Sequence, residues 1–141
     1  MIPSLLLTDT PDPRPKEAAG VSLYRHNVER TGVADRRPIA SVVTDPDADE
    51  VIGGLWGRTE LGLLFVDMFF LLPALRGQAV GGELLALVEA EATRRGCRHA
   101  VVENSTFQAP GFYERHGYEE FGRAPFSVPG QARVFLRKQL A

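Results

Sequence analysis

The sequence predicts a mixed α/β domain built around a central sheet. Three observations carry that class. Leu63 to Leu72 holds nine apolar residues in ten, as expected of a central strand buried on both faces. From Val80, the residues Leu84, Leu85, Leu87, Val88 and Ala92 form a helical stripe. Around these two, short β-branched and apolar runs are separated by turn residues.

The elements follow in order. Ser4 to Leu7 is a short apolar run expected to be a first strand, and Pro11, Pro13 and Pro15 make the loop after it. Lys16 to Arg30 spaces Ala18, Val21, Tyr24 and Val28 helically, with Gly32 placed to cap the end. Ile39 to Thr44 is a strand, Asp45 to Asp49 a turn, and Val51 to Arg58 a second strand. Gly53, Gly54 and Gly57 in that strand signal a bulge or a close backbone approach. After the central strand, Pro73 breaks the chain. The helix from Val80 carries Glu83 in its first turn and Arg94 and Arg95 in its last, each suited to the helix dipole, and Gly96 suits its cap. Ala100 to Glu103 is a strand. Pro110 to His116 is a short helix, with Pro at its start and Gly117 past its end. Strands near Glu119 to Arg123 and Arg133 to Lys138 complete the chain.

A length of 141 residues with 44% hydrophobic and 24% charged residues fits a single domain, 1–141, with a sizeable core. The net charge of −2 disfavours a broad nucleic-acid-binding face. One cysteine, Cys97, excludes a disulfide framework and a cysteine-ligated zinc cluster. The N-terminus lacks the basic region of a secretory leader, and no apolar run reaches the ~20 residues of a membrane helix. A soluble, cytoplasmic protein with no nucleic-acid or membrane partner is expected.

Between the central strand and the strongest helix lies Arg76-Gly77-Gln78-Ala79-Val80-Gly81-Gly82-Glu83. Helix N-termini carry unpaired N–H groups and a partial positive charge. Small side chains there let an anion approach, so the loop suits a phosphate or pyrophosphate. It is neither a Walker A loop nor a dinucleotide fingerprint. A tight strand-to-helix connection with no ligand is the alternative.

This segment resembles the acetyl-CoA signature of the GNAT superfamily of N-acetyltransferases: Gln or Arg, two residues, Gly, one residue, then Gly or Ala. Ala109-Pro110-Gly111-Phe112-Tyr113-Glu114-Arg115-His116-Gly117-Tyr118 resembles the family's later motif. The likeness is specific from about Leu63 to Tyr118 and topological elsewhere. It implies a mostly antiparallel sheet of about six to seven strands flanked by helices, and acetyl-CoA as co-substrate without a metal. It also implies that the backbone of Phe69, Phe70 and Leu71 holds the pantetheine arm beside a splayed neighbouring strand. The amides of Gly77, Gln78, Ala79, Val80, Gly81 and Gly82, beside Arg76, would hold the pyrophosphate, and Tyr113 would protonate the departing thiolate. Two positions depart from the pattern. Ala79 replaces the first signature Gly, which is tolerable where φ is negative. Thr106 stands where the family often has Asn, so Asn104 does not inherit that role by alignment.

Acetyl transfer to an amine needs a base, because an alkyl amine of pKa ~10.4 is almost wholly protonated at neutral pH. Asp67, the one charge in the central strand, is a candidate, and simple alternation places it on a face with Phe65, Phe69 and Leu71. Its alternatives are capping a bulge or pairing with an arginine. Glu103, ending the next strand, is a second candidate base or a solvated strand end. Without the family, Tyr113 reads as a core aromatic. His26, His99 and His116 show no metal spacing, and His116 reads as a cation at a helix C-terminus.

The leading function is thus an acetyl-CoA-dependent N-acetyltransferase acting on a primary amine by direct attack in a ternary complex. A catalytically silent acyl-CoA sensor or interaction module is the alternative, with a structural domain third. The resemblance assigns substrate choice to Tyr24, His26, Asn27, Arg36, Arg37 and the stretch Ala124 to Gln131, without naming an amine. The sequence leaves room for a homodimer.

Overall fold

A computed structural model describes residues 1–140, which fall into two units, one ending at Ala34 and one beginning at Asp35.

The first unit is organised by one helix, α1 (Pro13–Thr31). The Asp12 carboxylate caps it by accepting from the Arg14 amide at 3.0 Å, and Pro13 stands at the first position, where no N–H is needed. Gly32 ends it in the left-handed region, its amide donating to the Val28 carbonyl at 2.8 Å. No α1 residue is buried. The strand expected at Ser4–Leu7 does not form, and Leu5, Leu6 and Leu7 are fully exposed. An apolar run becomes a strand only when a neighbour pairs its backbone, and no strand pairs with these residues.

The second unit holds six strands: β1 (Arg37–Asp45), β2 (Glu50–Glu60), β3 (Leu63–Leu71), β4 (His99–Ser105), β5 (Glu119–Pro125) and β6 (Ala132–Gln139). Helices α2 (Val80–Arg94) and α3 (Pro110–Arg115) complete it. The spatial order is β1-β2-β3-β4-β6-β5. Only β3 and β4 run parallel, and α2 is the crossover that joins them. The mixed, mostly antiparallel sheet is as expected, with six strands. Leu84, Leu85, Val88 and Ala92 of α2 are buried, and the last three join Leu55, Leu64, Val66, Val102, Val134 and Leu136 in one core.

The β2–β3 ladder contains a bulge. Trp56 pairs with Met68 and the next residue, Gly57, pairs with Val66, so Asp67 is extra. Leu64 and Val66 are buried, and beyond the bulge Leu71 is buried and Phe69 packs on the core. Met68 and Phe70 are exposed instead. The extra residue resets the alternation, so Asp67 shares a face with Phe65 but not with Phe69 or Leu71, contrary to expectation. Nor is β3 buried on both faces. One row of its apolar residues fills the core, and Met68 and Phe70 line a cavity. The β2 glycines are close approaches: a Cβ at Gly57 would stand 2.2 Å from the Phe65 carbonyl oxygen.

Candidate active site

β3 and β4 pair only from Leu63↔His99 to Val66↔Val102. Beyond that pair the strands part. The opening leads into a cavity of about 860 Å³ that reaches the N-terminus of α2 and the side of α3. The short parallel ladder creates this space, because β4 is drawn along its length into pairing with β6, from Ser105↔Arg133 to His99↔Gln139. The cavity brings together Asp67, Glu103, Phe69, Phe70, Leu71, Arg76, Gly77, Ala79, Gly81, Gly82 and Tyr113. Gln78 and Val80 do not line it, and the Gln78 amide nitrogen donates to the Ala74 carbonyl at 2.9 Å.

Asp67 and Glu103 are each the first residue past the last β3–β4 pair, so they flank the fork itself. Both face a guanidinium. Arg58 lies over the Phe65 ring and reaches the Asp67 carboxylate at 2.5 Å. Arg133 approaches Glu103 at 3.3 Å and donates to Ser105 Oγ at 3.1 Å. Of the two alternatives for Asp67, the arginine pair is present, and Asp67 is itself the extra residue of the bulge rather than its cap.

Along the cavity wall runs an aromatic series. Phe69 stacks on Phe112 at 5.3 Å, and Phe112 meets Tyr113 edge-on at 5.1 Å. Tyr113 is 2% exposed, and burial pushes its hydroxyl up to about 12. The phenol therefore stays protonated at neutral pH. Pro110 starts α3 without needing an amide bond, and the Tyr113 carbonyl accepts from the His116 and Tyr118 amides, both at 3.0 Å.

At the other end, the first helical bond of α2 runs from the Glu83 amide to the Ala79 carbonyl, 3.1 Å. The amides of Val80, Gly81 and Gly82 thus precede the helical ladder. The glycines divide in purpose. A Cβ on Gly77 would meet nothing within 4 Å, so the loop is open there. A Cβ on Gly81 would stand 3.1 Å from the Phe69 ring, and one on Gly82 2.9 Å from the His116 ring. Those two are small so that α2 can close against the aromatic series. His116 does end α3, but its ring lies against Gly82 and Phe112 as cavity wall.

Ala79 adopts φ +64°, in the left-handed region, so the condition of negative φ is not met. A methyl there costs about 1–2 kcal/mol, part of which glycine returns as unfolded-chain entropy. Ala79→Gly is expected to raise Tm by about 2–4 °C. An unchanged or lower Tm in calorimetry would show that no strain is stored at this cap.

The two positions at the family's Asn have separate tasks, and two arginines enter the lining that no motif marked. Asn104 Oδ1 accepts from the Ala109 amide at 3.0 Å and ties the approach to α3, while Thr106 bonds Gln131 and the Ala132 amide at the start of β6. Arg115 and Arg133 add positive charge to the lining. No linear signal marks Arg133, which enters only because β6 pairs with β4. Among the described residues no group of three His, Cys, Asp or Glu side chains gathers as a metal site, and no helix is long and apolar enough to cross a membrane.

An acetyltransferase (GNAT) domain family matches residues 33–120. An acetyltransferase of Agrobacterium fabrum is 33% identical over 136 residues, 96% of this chain and 98% of that protein. The chain belongs to the GNAT acetyltransferase family. A blasticidin-S acetyltransferase of Streptomyces morookaense is 36% identical over 116 residues, covering 80% of this chain and 85% of that one. The crystal structure of an acetyltransferase from Agrobacterium tumefaciens superposes with a TM-score of 0.88 at 33% identity, covering 96% of this chain and 98% of that one. A streptothricin acetyltransferase of Bacillus anthracis in complex with acetyl-CoA shares the fold at a TM-score of 0.62 and 15% identity, covering 76% of this chain and 65% of that one.

This GNAT chain is an acyltransferase whose co-substrate is acetyl-CoA. Its cavity fits that molecule on two counts. The loop before α2 is open at Gly77, where even a Cβ would meet nothing. The edge of β3 facing β4 has no partner past Val66.

Proposed function

We propose that this acetyltransferase acetylates a primary amine on a small, cationic acceptor, by direct attack while both substrates are bound. One observation carries the reading. A single cavity, lined by Arg76 and Arg115, joins a helix N-terminus to a fork flanked by Asp67 and Glu103. The helix end suits a diphosphate, and the fork offers an ammonium two carboxylates, each beside an arginine. The relative named for blasticidin S supports a small-molecule acceptor.

Acetyl-CoA would supply the acetyl group as a thioester. The protein's part follows from its residues. The amides of Gly77, Ala79, Gly81 and Gly82, with Arg76, would hold the diphosphate. The backbone of Phe69 to Leu71, without a strand partner on the β4 side, would pair with the amides of the pantetheine arm. Asp67 and Glu103 would draw the ammonium to the fork, and one of them would take its proton directly or through one water. That step matters because only about one alkyl amine in a thousand is neutral at pH 7. Tyr113 would give its phenolic proton to the sulfur as the C–S bond breaks.

Two measurements test this. CoA at about a hundredfold excess over its dissociation constant should stabilise the protein by ~2.7 kcal/mol, about 5–10 °C in Tm. Pantetheine, lacking the phosphates, should do so less. Thiol release from acetyl-CoA should then rise with cationic amines in a panel of polyamines, aminoglycosides, amino acids and peptides. A shift with CoA but no thiol release with any amine would make the protein a binding module. No shift at millimolar CoA would overturn cofactor binding altogether.

A further inference from the structure

Behind Tyr113, away from the residues that would hold the co-substrate, lies a half-buried polar cluster. The Tyr118 hydroxyl donates to Glu89 Oε2 at 2.7 Å, and Lys138 Nζ donates to Glu89 Oε1 at 2.8 Å. The Glu89 and Lys138 side chains are 15% and 25% exposed. The Lys138 ammonium also lies 5.6 Å from the centre of the Tyr118 ring. Three elements meet here: Glu89 belongs to α2, Lys138 to β6, and Tyr118 to the turn leaving α3. None of the three lines the cavity.

Tyr118 is bound to Tyr113 in two ways. Its amide donates to the Tyr113 carbonyl at 3.0 Å, and its ring meets the Tyr113 ring edge-on at 5.6 Å and 73°. Tyr113 also meets Phe112 edge-on, again at 73°. The Tyr113 ring is therefore held by two edge-on ring contacts. Phe112 in turn stacks on Phe69 at the cavity wall. Tyr118 is pinned at its far end by a charged hydrogen bond, which is shorter and stronger than a neutral one.

We propose that Glu89, Tyr118 and Lys138 act as a positioning clamp for the Tyr113 hydroxyl, fixing α3 against α2 so that the phenol points at the reacting sulfur. The clamp also links the helix that begins at the phosphate loop to the residue that handles the thiolate. A half-buried network in which Glu89 is bonded by both Tyr118 and Lys138 suits this task, since each member loses a partner if it moves. Catalytic groups misplaced by about 1 Å can lose ~10²-fold in rate.

The inference rests on Tyr113 as proton donor, so its test uses two backgrounds. Tyr118→Phe removes one hydroxyl and leaves Glu89 paired with Lys138. In the natural background it should lower kcat at least tenfold and leave the CoA-induced rise in Tm intact. In a Tyr113→Phe background it should cause no further loss, because there is nothing left to position. Glu89→Gln, measured the same way, should repeat the pattern and serves if Tyr118→Phe folds poorly. Equal losses in both backgrounds would show a general structural role and overturn the clamp. Full kcat for Tyr118→Phe alongside a slow Tyr113→Phe enzyme would overturn the clamp alone. Full turnover by Tyr113→Phe would remove the donor itself, and the clamp with it.

Discussion

Replacing Tyr113 with phenylalanine should lower turnover by about 10²–10⁴, the range for a positioned general acid. Its two edge-on ring contacts depend on the ring, not on the oxygen. No hydrogen bond ties the hydroxyl to any described residue. Its removal therefore orphans no partner, and Tm should stay nearly constant. CoA binding should also be unchanged, because a proton donor to the sulfur would act mainly as charge develops there. The sign of the pH dependence follows from the shift. The useful form is the protonated phenol, present below a pKa raised to about 12. Tyr113 thus remains an acid throughout the neutral and moderately alkaline range. The variant should be slower by the same factor at every pH there, rather than missing an alkaline limb. Stopped-flow thiol release across pH measures this. A variant as fast as the parent would show that water protonates the thiolate.

Gly57→Ala should produce the largest loss of stability, on the order of 3 kcal/mol or more. The added methyl carbon would stand 2.2 Å from the Phe65 carbonyl oxygen and 3.2 Å from its carbon, both backbone atoms of the neighbouring strand. A flexible side chain could turn aside, but a paired strand cannot. Such a loss is a large part of the ~5–15 kcal/mol that holds a domain together. The urea midpoint should fall accordingly. The consequence for the site is as telling. Gly57 pairs with Val66 at the edge of the bulge that carries Asp67. If the ladder escapes the clash by losing the bulge, Asp67 re-enters the pairing and the residues after it change faces. Phe69 would then leave the core and Phe112. Unaltered stability would mean the strands can separate at this point without cost.

Much of the site was legible in the chain because its signals are local. Glycines, an alanine and an arginine crowd seven residues before an amphipathic helix, and that pattern predicts both the helix start and the open amides. Pro110 and Gly117 bracket α3 as proline and glycine do at helix ends. The fork was expected through the family resemblance, and the β3–β4 register shows it. Misreadings arose wherever the outcome depended on pairing. Ser4–Leu7 has strand composition but no partner strand. Leu63–Leu72 is apolar but for Asp67 because a cavity wall and a core demand the same residue types.

Periodicity, caps and turn residues by themselves determined the element order of the second unit, the phosphate-suited loop and the short helix presenting Tyr113, since each depends on neighbours a few residues away. The tertiary structure alone decided the rest. It placed Asp67 on a bulge against Arg58, set Glu103 against Arg133, left Ala79 at positive φ, and gathered Glu89, Tyr118 and Lys138 behind the catalytic candidate. These features depend on register and on contacts across tens of residues. One extra residue in a ladder changes which face every later side chain takes, yet leaves no trace in composition or spacing.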